Sequence, residues 1–294
     1  MQQLTLVVPC TDRKKLAPKP ELTARTLSAG SAVDRCEQWL RRLSTSPSSR
    51  VPLKTLYKGD AWQQALRLGD VASENWRVQT LVASAGLGLQ LLEAEHPSYA
   101  VTFTSGHADT ACDTSDSGKW WQGLRAAPQA ESLTSVKGAV LAVLSTAYAR
   151  ALHEDLLVLG QRYDTELLVI GGWKDIPGAL RVPADRDLRK ALGGTVGTLL
   201  PRMAQQWLAM NERRALTSLT TLKQWRQWAE SSRDKESFDR KPLTDAEVWE
   251  FIHHLRDSQP TVSATGALRI LRDSGFACEQ KRFGRLFREC QEAA

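Results

Sequence analysis

The stretch Leu4–Lys15 reads LTLVVPCTDRKK. Leu4 to Val8 is a short run rich in Val and Leu, the composition of a strand buried on both faces. Pro9 stops it, because proline has no N–H to give to a ladder. The chain then changes character at once: a thiol (Cys10), a hydroxyl (Thr11), a carboxylate (Asp12) and three cations (Arg13, Lys14, Lys15) follow. A polar loop straight after a buried strand is how an open parallel sheet presents a site, since ligands bind outside the carboxyl ends of the strands. Two more segments repeat the design. Val78–Ser84 runs into Ala85-Gly86-Leu87-Gly88, and Glu166–Ile170, expected to be the last strand, runs into Gly171-Gly172-Trp173-Lys174-Asp175. If these strands are parallel neighbours, the three loops converge on one crevice.

Around these strands, Val33–Leu43, Ala61–Leu68, Lys119–Leu124 and Tyr148–Leu159 read as helices, the second with Asp60 as N-cap. Ala139–Leu144 reads as a strand, and Tyr99–Phe103 as a weaker strand or extended segment. Strands alternating with helices predict an α/β fold with a mainly parallel sheet between helical layers. From Gly197 the pattern is helical, with Leu199–Asn211 and Leu219–Glu230 periodic, and Ser231–Lys241 (SSRDKESFDRK) reads as a charged linker. Thr244-Asp245-Ala246-Glu247 is a capping box that opens a helix. Pro260 breaks it, Ser263 or Thr265 opens a second helix that Gly275 ends, and Gln280–Glu292 forms a third. Three short helices with tight connections predict a small helix-turn-helix-like unit. The expected organisation is an α/β domain over 1–212, a helical connector and linker over 213–241, and a helical domain over 242–294.

The 294 residues are 42% hydrophobic, enough for a packed core and too many for disorder. Net charge is +6 and the pI about 9.1, which favours an anionic partner. The excess is local. Residues 1–60 carry eleven Lys or Arg against five Asp or Glu, whereas residues 233–294 carry eleven of each. The five cysteines are scattered and never spaced as CxxC, so neither a zinc site nor a disulfide framework is expected, and no cofactor is called for. No run approaches the roughly 20 apolar residues of a membrane span, and nothing resembles a signal peptide, so a cytoplasmic protein is expected. No Walker loop, HExxH or Ser-His-Asp order is present.

Several residues could carry chemistry. Asp12, kept ionised by the cations beside it, could orient a water or stabilise a developing cation, while the cations hold phosphates; a solvated basic turn is the plainer reading. In Tyr57-Lys58-Gly59-Asp60, Tyr57 could stack on a base and Lys58 reach a phosphate, or the segment could simply be a turn and helix cap. Thr104–Asp109 places His107 and Asp109 in a loop as a possible acid–base pair or as surface residues. Trp120 and Trp121 could wedge or stack on DNA, whereas Trp207, Trp225 and Trp228 fall at helical spacing and read as core. Gly193-Gly194-Thr195 fits a phosphate site or a tight turn equally well. In the last helix Lys281, Arg282, Arg285 and Arg288 lie beside Phe283 and Phe287, which would face the core and leave the cations for a phosphate backbone or for water.

Three short motifs together carry a family resemblance: Pro9-Cys10-Thr11-x-x-Lys14, Leu56-Tyr57-x-Gly59, and Ser84-Ala85-Gly86-Leu87 after a strand. They resemble a bacterial family related to the base-handling domain of archaeosine synthase and, more distantly, to the uracil-DNA glycosylase superfamily. The resemblance covers Met1 to about Met210 and implies a three-layer α/β/α domain that handles a nucleobase or its glycosidic bond. With its helical tail the chain is similar to antiviral DNA glycosylases that excise glucosylated cytosines from phage DNA, and Leu268–Phe287 resembles a tail of defence-associated bacterial proteins.

In uracil-DNA glycosylases the loop after the first strand carries a carboxylate or amide that acts on the water or the sugar cation, and Asp12 occupies the matching place. Their Gly-Gln-Asp-Pro-Tyr motif is absent here, which turns the expectation away from uracil. Their late His-Pro-Ser has no counterpart after Ile170; His96-Pro97-Ser98 lies mid-chain, and Gly171–Asp175 or Arg181 would fill the place. The resemblance thus implies a monofunctional glycosylase that flips a modified base, glucosylated hydroxymethylcytosine foremost, from double-stranded phage DNA and leaves an abasic site. Asp12 would be its key carboxylate, with Asp109 in competition, and His107 would be a further catalytic candidate that also shapes the base pocket. Cys10, Thr11, Tyr57, Ser84, Gly86, Gly172 and Trp173 would line the base pocket. Arg13, Lys14, Lys15 and Lys58, with Lys281, Arg282 and Arg285 from the tail, would hold DNA. A non-catalytic sensor of modified DNA and an RNA base-exchange enzyme remain the alternatives.

Overall fold

Six strands form the central sheet of the computed structural model, which describes residues 2–234 and 240–292. They are β1 (Gln3–Pro9), β2 (Arg77–Ser84), β3 (Gly88–Leu91), β4 (Gly138–Leu144), β5 (Thr165–Gly171) and β6 (Ala179–Val182), in spatial order β3-β2-β1-β4-β5-β6. β1, β2, β4, β5 and β6 are parallel, and β3 folds back antiparallel on β2. The first strand therefore lies inside the sheet: Leu6 sits between Thr80 of β2 and Leu141 of β4. The run Leu4–Val8 and the run Ala139–Leu144 are buried throughout, as expected of strands covered on both faces.

Two groups of helices flank the sheet. α2 (Asp60–Ser73) and α6 (Leu199–Asn211) pack on each other and on β2, β4 and β5, and α7 (Leu219–Ser232) packs on α6. The other group runs in sequence: α1 (Ala32–Thr45) against α3 (Ser117–Gly123), α3 against α4 (Thr146–Ala151), and α4 against α5 (His153–Gly160). The α/β class and the mainly parallel sheet agree with the sequence reading.

Several details differ from it. β6 follows the segment expected to be the last strand, and β3 was unforeseen; both are short, at four residues each, too short to set up a pattern. Tyr99–Phe103 is extended but makes only single bridges, Ala100 to Thr23 and Thr102 to Thr110. The helix expected over Tyr148–Leu159 is broken at Leu152, whose ψ of 7° leaves the helical range. Gly59, not Asp60, caps α2, at a φ of 100° that favours glycine.

The chain divides into two compact units at residues 234 and 235. The boundary expected at residue 212 moves because α7 belongs to the first unit: Trp225 lies 5.9 Å from Trp207 ring to ring, and Glu166 accepts from the Thr217 amide at 2.6 Å. The expected linker is helical through Ser232, and its residues 235–239 lie outside the described ones.

The second unit holds α8 (Asp245–Ser258), α9 (Ala264–Asp273) and α10 (Gln280–Glu292), closed around Val248, Ile252, Leu271, Phe283 and Phe287. Thr244 and Glu247 make the capping box, and Ser263 caps α9 through the Gly266 amide. Lys241–Pro242 pairs in parallel with Phe276–Ala277. Among the described residues no helix is long and apolar enough to cross a membrane.

Candidate functional site

Among the parallel strands, the order in the sheet is second, first, third, fourth, fifth in the chain. The chain therefore leaves β1 toward one side of the sheet and β4 toward the other. Such a switch point opens a crevice at the carboxyl ends of the two strands. The loops that leave β1 and β4 meet there. Cys10 Sγ lies 3.1 Å from the hydroxyl of Tyr148, on α4 just after β4.

The basic loop is held down by the segment Leu56–Gly59. Lys14 and Tyr57 form an antiparallel bridge, the Lys15 amide donates to Leu56 O at 2.9 Å, and the Lys58 amide donates to Arg13 O at 3.0 Å. Thr11 Oγ1 donates to Arg13 O and Lys58 O. Two segments picked out separately from the sequence thus form one structure. Asp12, Arg13, Lys15 and Lys58 are exposed on it, and none of the four has an ion-pair partner among the described residues.

Beneath the loop lies a chain of hydroxyls. Ser84 Oγ, at the end of β2, accepts from the Gly86 and Leu87 amides at 3.1 and 3.0 Å. With both lone pairs used, its proton goes to Tyr99 Oη, 2.5 Å away, and Tyr99 Oη lies 2.7 Å from Tyr57 Oη. Burial pushes the hydroxyls of Tyr57, Tyr99 and Tyr148 well above the ordinary tyrosine value, so all three stay neutral. Phe103 packs edge-on against Tyr148 at 5.3 Å. Gly86 is what lets Tyr99 in: a Cβ there would sit 2.6 Å from two carbons of the Tyr99 ring.

Lys14 spans the two levels. Its ammonium lies 4.3 Å from the Tyr99 ring centre and 5.5 Å from that of Tyr57. Its acceptors are the main-chain oxygens of Asp12 at 3.3 Å and Thr11 at 3.5 Å. Burial lowers its pKa, while Cys10, Asp12 and Asp109 pull the other way. Lys14 was expected to be a phosphate ligand like its neighbours, but it is half-buried under the loop.

Asp109 and His107 are separated in role by the structure. Asp109 is 1% exposed, and both its oxygens are engaged by Arg25: Oδ1 accepts from the Arg25 amide at 3.1 Å and from Nε at 2.8 Å, and Oδ2 from Nη2. These bonds hold the Asp109 carboxyl below its usual range. His107 is exposed, and its Nδ1 accepts from the Asp109 amide at 3.0 Å. The two do not form an acid–base pair.

Gly172 and Trp173 lie at the end of β5, beyond β4. Thr146 Oγ1 donates to Gly172 O at 3.4 Å, which ties that turn to α4. Arg150 at 4.9 Å and Lys174 at 4.2 Å lie over the Trp173 ring, and the His153 ring meets it edge-on at 5.2 Å, so two cations share the ring expected to meet a base.

Other expectations are corrected. Trp120 and Trp121 are buried, their indole N–H groups donating to Ala85 O and Asp155 Oδ2 at 2.8 Å each, because α3 is packed between α1 and α4. They are core residues and cannot wedge DNA. Trp207 and Trp225 are core residues as expected. His96 is buried beside Gln90 and Ser98 donates to Leu16 O, so His96-Pro97-Ser98 is internal. Gly193 and Gly194 turn the chain at positive φ ahead of a cap between Thr195 and Thr198. In the second unit the cations expected to hold DNA lie at the surface: Lys281 and Arg285 are exposed, Arg282 pairs with Asp245, and Arg285 pairs with Asp245 and Glu289. A separate cleft of about 590 Å³ beside α2, lined by Lys54, Gln63, Arg67, Asp70, Thr80 and Leu92 among others, holds none of the candidate residues.

Sequence reading missed Tyr99, Tyr148 and Arg25. For Tyr148 a signal existed, since it lies four residues past a buried strand. Among the described residues no cluster of His, Cys, Asp and Glu could hold a metal ion. No family model, no curated protein and no solved structure matches this chain.

Proposed function

We propose that the chain is a DNA glycosylase that flips a modified base from phage DNA into the crevice between β1 and β4 and hydrolyses its glycosidic bond, as part of antiviral defence in the cytoplasm. One observation carries the reading: a carboxylate, Asp12, and three cations, Arg13, Lys15 and Lys58, all exposed and without ion-pair partners among the described residues, share one loop surface over a buried layer of neutral hydroxyls. A flipped nucleotide needs this combination. Cations fix the flanking phosphates without reading sequence. Cys10 and Thr11, both partly exposed above the buried hydroxyls, offer hydrogen bonds to a base edge. Departure of the base leaves positive charge on the sugar, which Asp12 stabilises directly or by activating water, as a glycosidase carboxylate does.

In this reading the first unit is a uracil-DNA-glycosylase-like three-layer domain and the second a helix-turn-helix-like grip on the duplex, presenting Lys281. Asp109 supports the site indirectly, through Arg25. The test is incubation with DNA containing glucosylated hydroxymethylcytosine, uracil or unmodified bases, followed by abasic-site detection and chromatography of released base. Release from the glucosylated DNA is expected, with Asp12→Asn abolishing it and sparing binding. Intact DNA binding with no released base from any substrate overturns the enzyme reading in favour of a sensor, and a preference for tRNA over DNA in competition favours the RNA alternative.

A further inference from the structure

We propose that Lys14 is an imine-forming nucleophile toward the C1′ aldehyde of an abasic deoxyribose, which replaces the monofunctional enzyme that the resemblance implies with a glycosylase carrying a coupled lyase step. The inference rests on the glycosylase reading for its substrate, and on the placement of one amine for its chemistry. Of the three lysines on the site, Lys15 and Lys58 are exposed and hydrated. Lys14 is half-buried, with an aromatic ring face at 4.3 Å, two long bonds to main-chain oxygens, and no carboxylate within ion-pair distance among the described residues. An amine attacks only when neutral, and withdrawal from water raises the neutral fraction of a lysine. Cys10, Asp12, Asp109 and the ring faces of Tyr57 and Tyr99 all favour the charged form, and burial lowers the pKa against them.

The ring faces also suit the next species. The Nζ lone pair bonds to C1′ and the carbonyl pair moves to oxygen. That oxygen takes one proton from the amine nitrogen and one from solvent and leaves as water, while the nitrogen lone pair closes the C=N bond, so the product is a fixed iminium cation. The same Tyr99 face that holds the ammonium attracts the iminium. Loss of a C2′ proton to solvent and departure of the 3′ phosphate with the C3′–O electron pair then nick the strand. Water hydrolyses the imine and restores Lys14.

Duplex DNA carrying a preformed abasic site needs no base excision. It is incubated with the full chain in borohydride, the cross-linked band is isolated, and its peptides are sequenced by mass spectrometry. The expected adduct is on Lys14. Lys14→Arg, which keeps the charge, should bind the same DNA and lose both the adduct and the nick. An adduct on Lys15 or Lys58, or no adduct from protein that does release bases, overturns the inference and leaves the glycosylase reading standing. An adduct on Lys14 from protein that releases no base from any DNA supports the inference and overturns the glycosylase reading alone.

Discussion

Replacing Gly86 with alanine tests the architecture of the crevice floor. The added Cβ would lie 2.6 Å from Cδ2 and Cε2 of Tyr99 and 3.3 Å from Trp39 Cζ2. Tyr99 is fully buried and cannot retreat, since its hydroxyl is bonded to Ser84 at 2.5 Å and to Tyr57 at 2.7 Å. Trp39 is fixed as well, its indole donating to Gly86 O. Overpacking of this kind costs about 1–3 kcal/mol. Moving the ring also loosens two hydrogen bonds worth about 1 kcal/mol each. A destabilisation of about 3 kcal/mol corresponds to a fall in Tm of roughly 6–12 °C for a domain of this size.

Thermal and guanidinium unfolding of the wild type, Gly86→Ala, Tyr99→Ala and the double variant complete a cycle. In the Tyr99→Ala background the Gly86→Ala change should cost less than about 1 kcal/mol, because the clashing ring is gone. A Gly86→Ala protein within about 2 °C of wild type, or an undiminished cost in the double variant, refutes the reasoning.

His96 gives a pH signature. Burial lowers its pKa from 6.5 to about 4, so the unfolded chain takes up the proton first. Stability is full above pH 6.5 and falls by roughly 3 kcal/mol as the pH drops toward 4. His96→Gln should flatten that arm of a guanidinium-midpoint profile, and an unchanged profile would remove His96 as its source. The exposed cations give a salt signature: Arg13→Gln, Lys15→Gln and Lys58→Gln should each reduce the slope of log K against log salt by about 0.9 in a DNA anisotropy titration. Arg282→Gln, whose guanidinium is committed to Asp245, should leave the slope nearly unchanged, and equal losses in all four would contradict the assignment.

The strands of the sheet were readable where burial on both faces writes a continuous apolar run, as in Leu4–Val8 and Ala139–Leu144. β6 was not, because Ala-Leu-Arg-Val carries a charge and joins the sheet only through its neighbour β5. Half of the candidate site was readable for the same reason: a strand end announces its loop. The other half depended on strand order, which no local pattern encodes. Without knowing that β4 lies beside β1, nothing joins Cys10 to Tyr148, more than a hundred positions later. Tyr99 was hidden differently, on an irregular segment whose partners are side chains. Trp120 and Trp121 misled because adjacent helical residues point apart, which suggests that one faces water; a helix enclosed on both sides buries both.

The interior place of β1 has a consequence for how the protein comes into being. β1 is synthesised before either of the partners it needs on its two edges, and Leu6 finds them only at Thr80 and Leu141. Pairings so distant in sequence close large loops before they return any stability, which slows folding. During synthesis Leu4–Val8 is an apolar strand with two open edges, the kind of segment that aggregates or recruits a chaperone. Folding of the first unit therefore waits for the residues of β4, and a nascent chain halted before Leu144 should remain protease-sensitive.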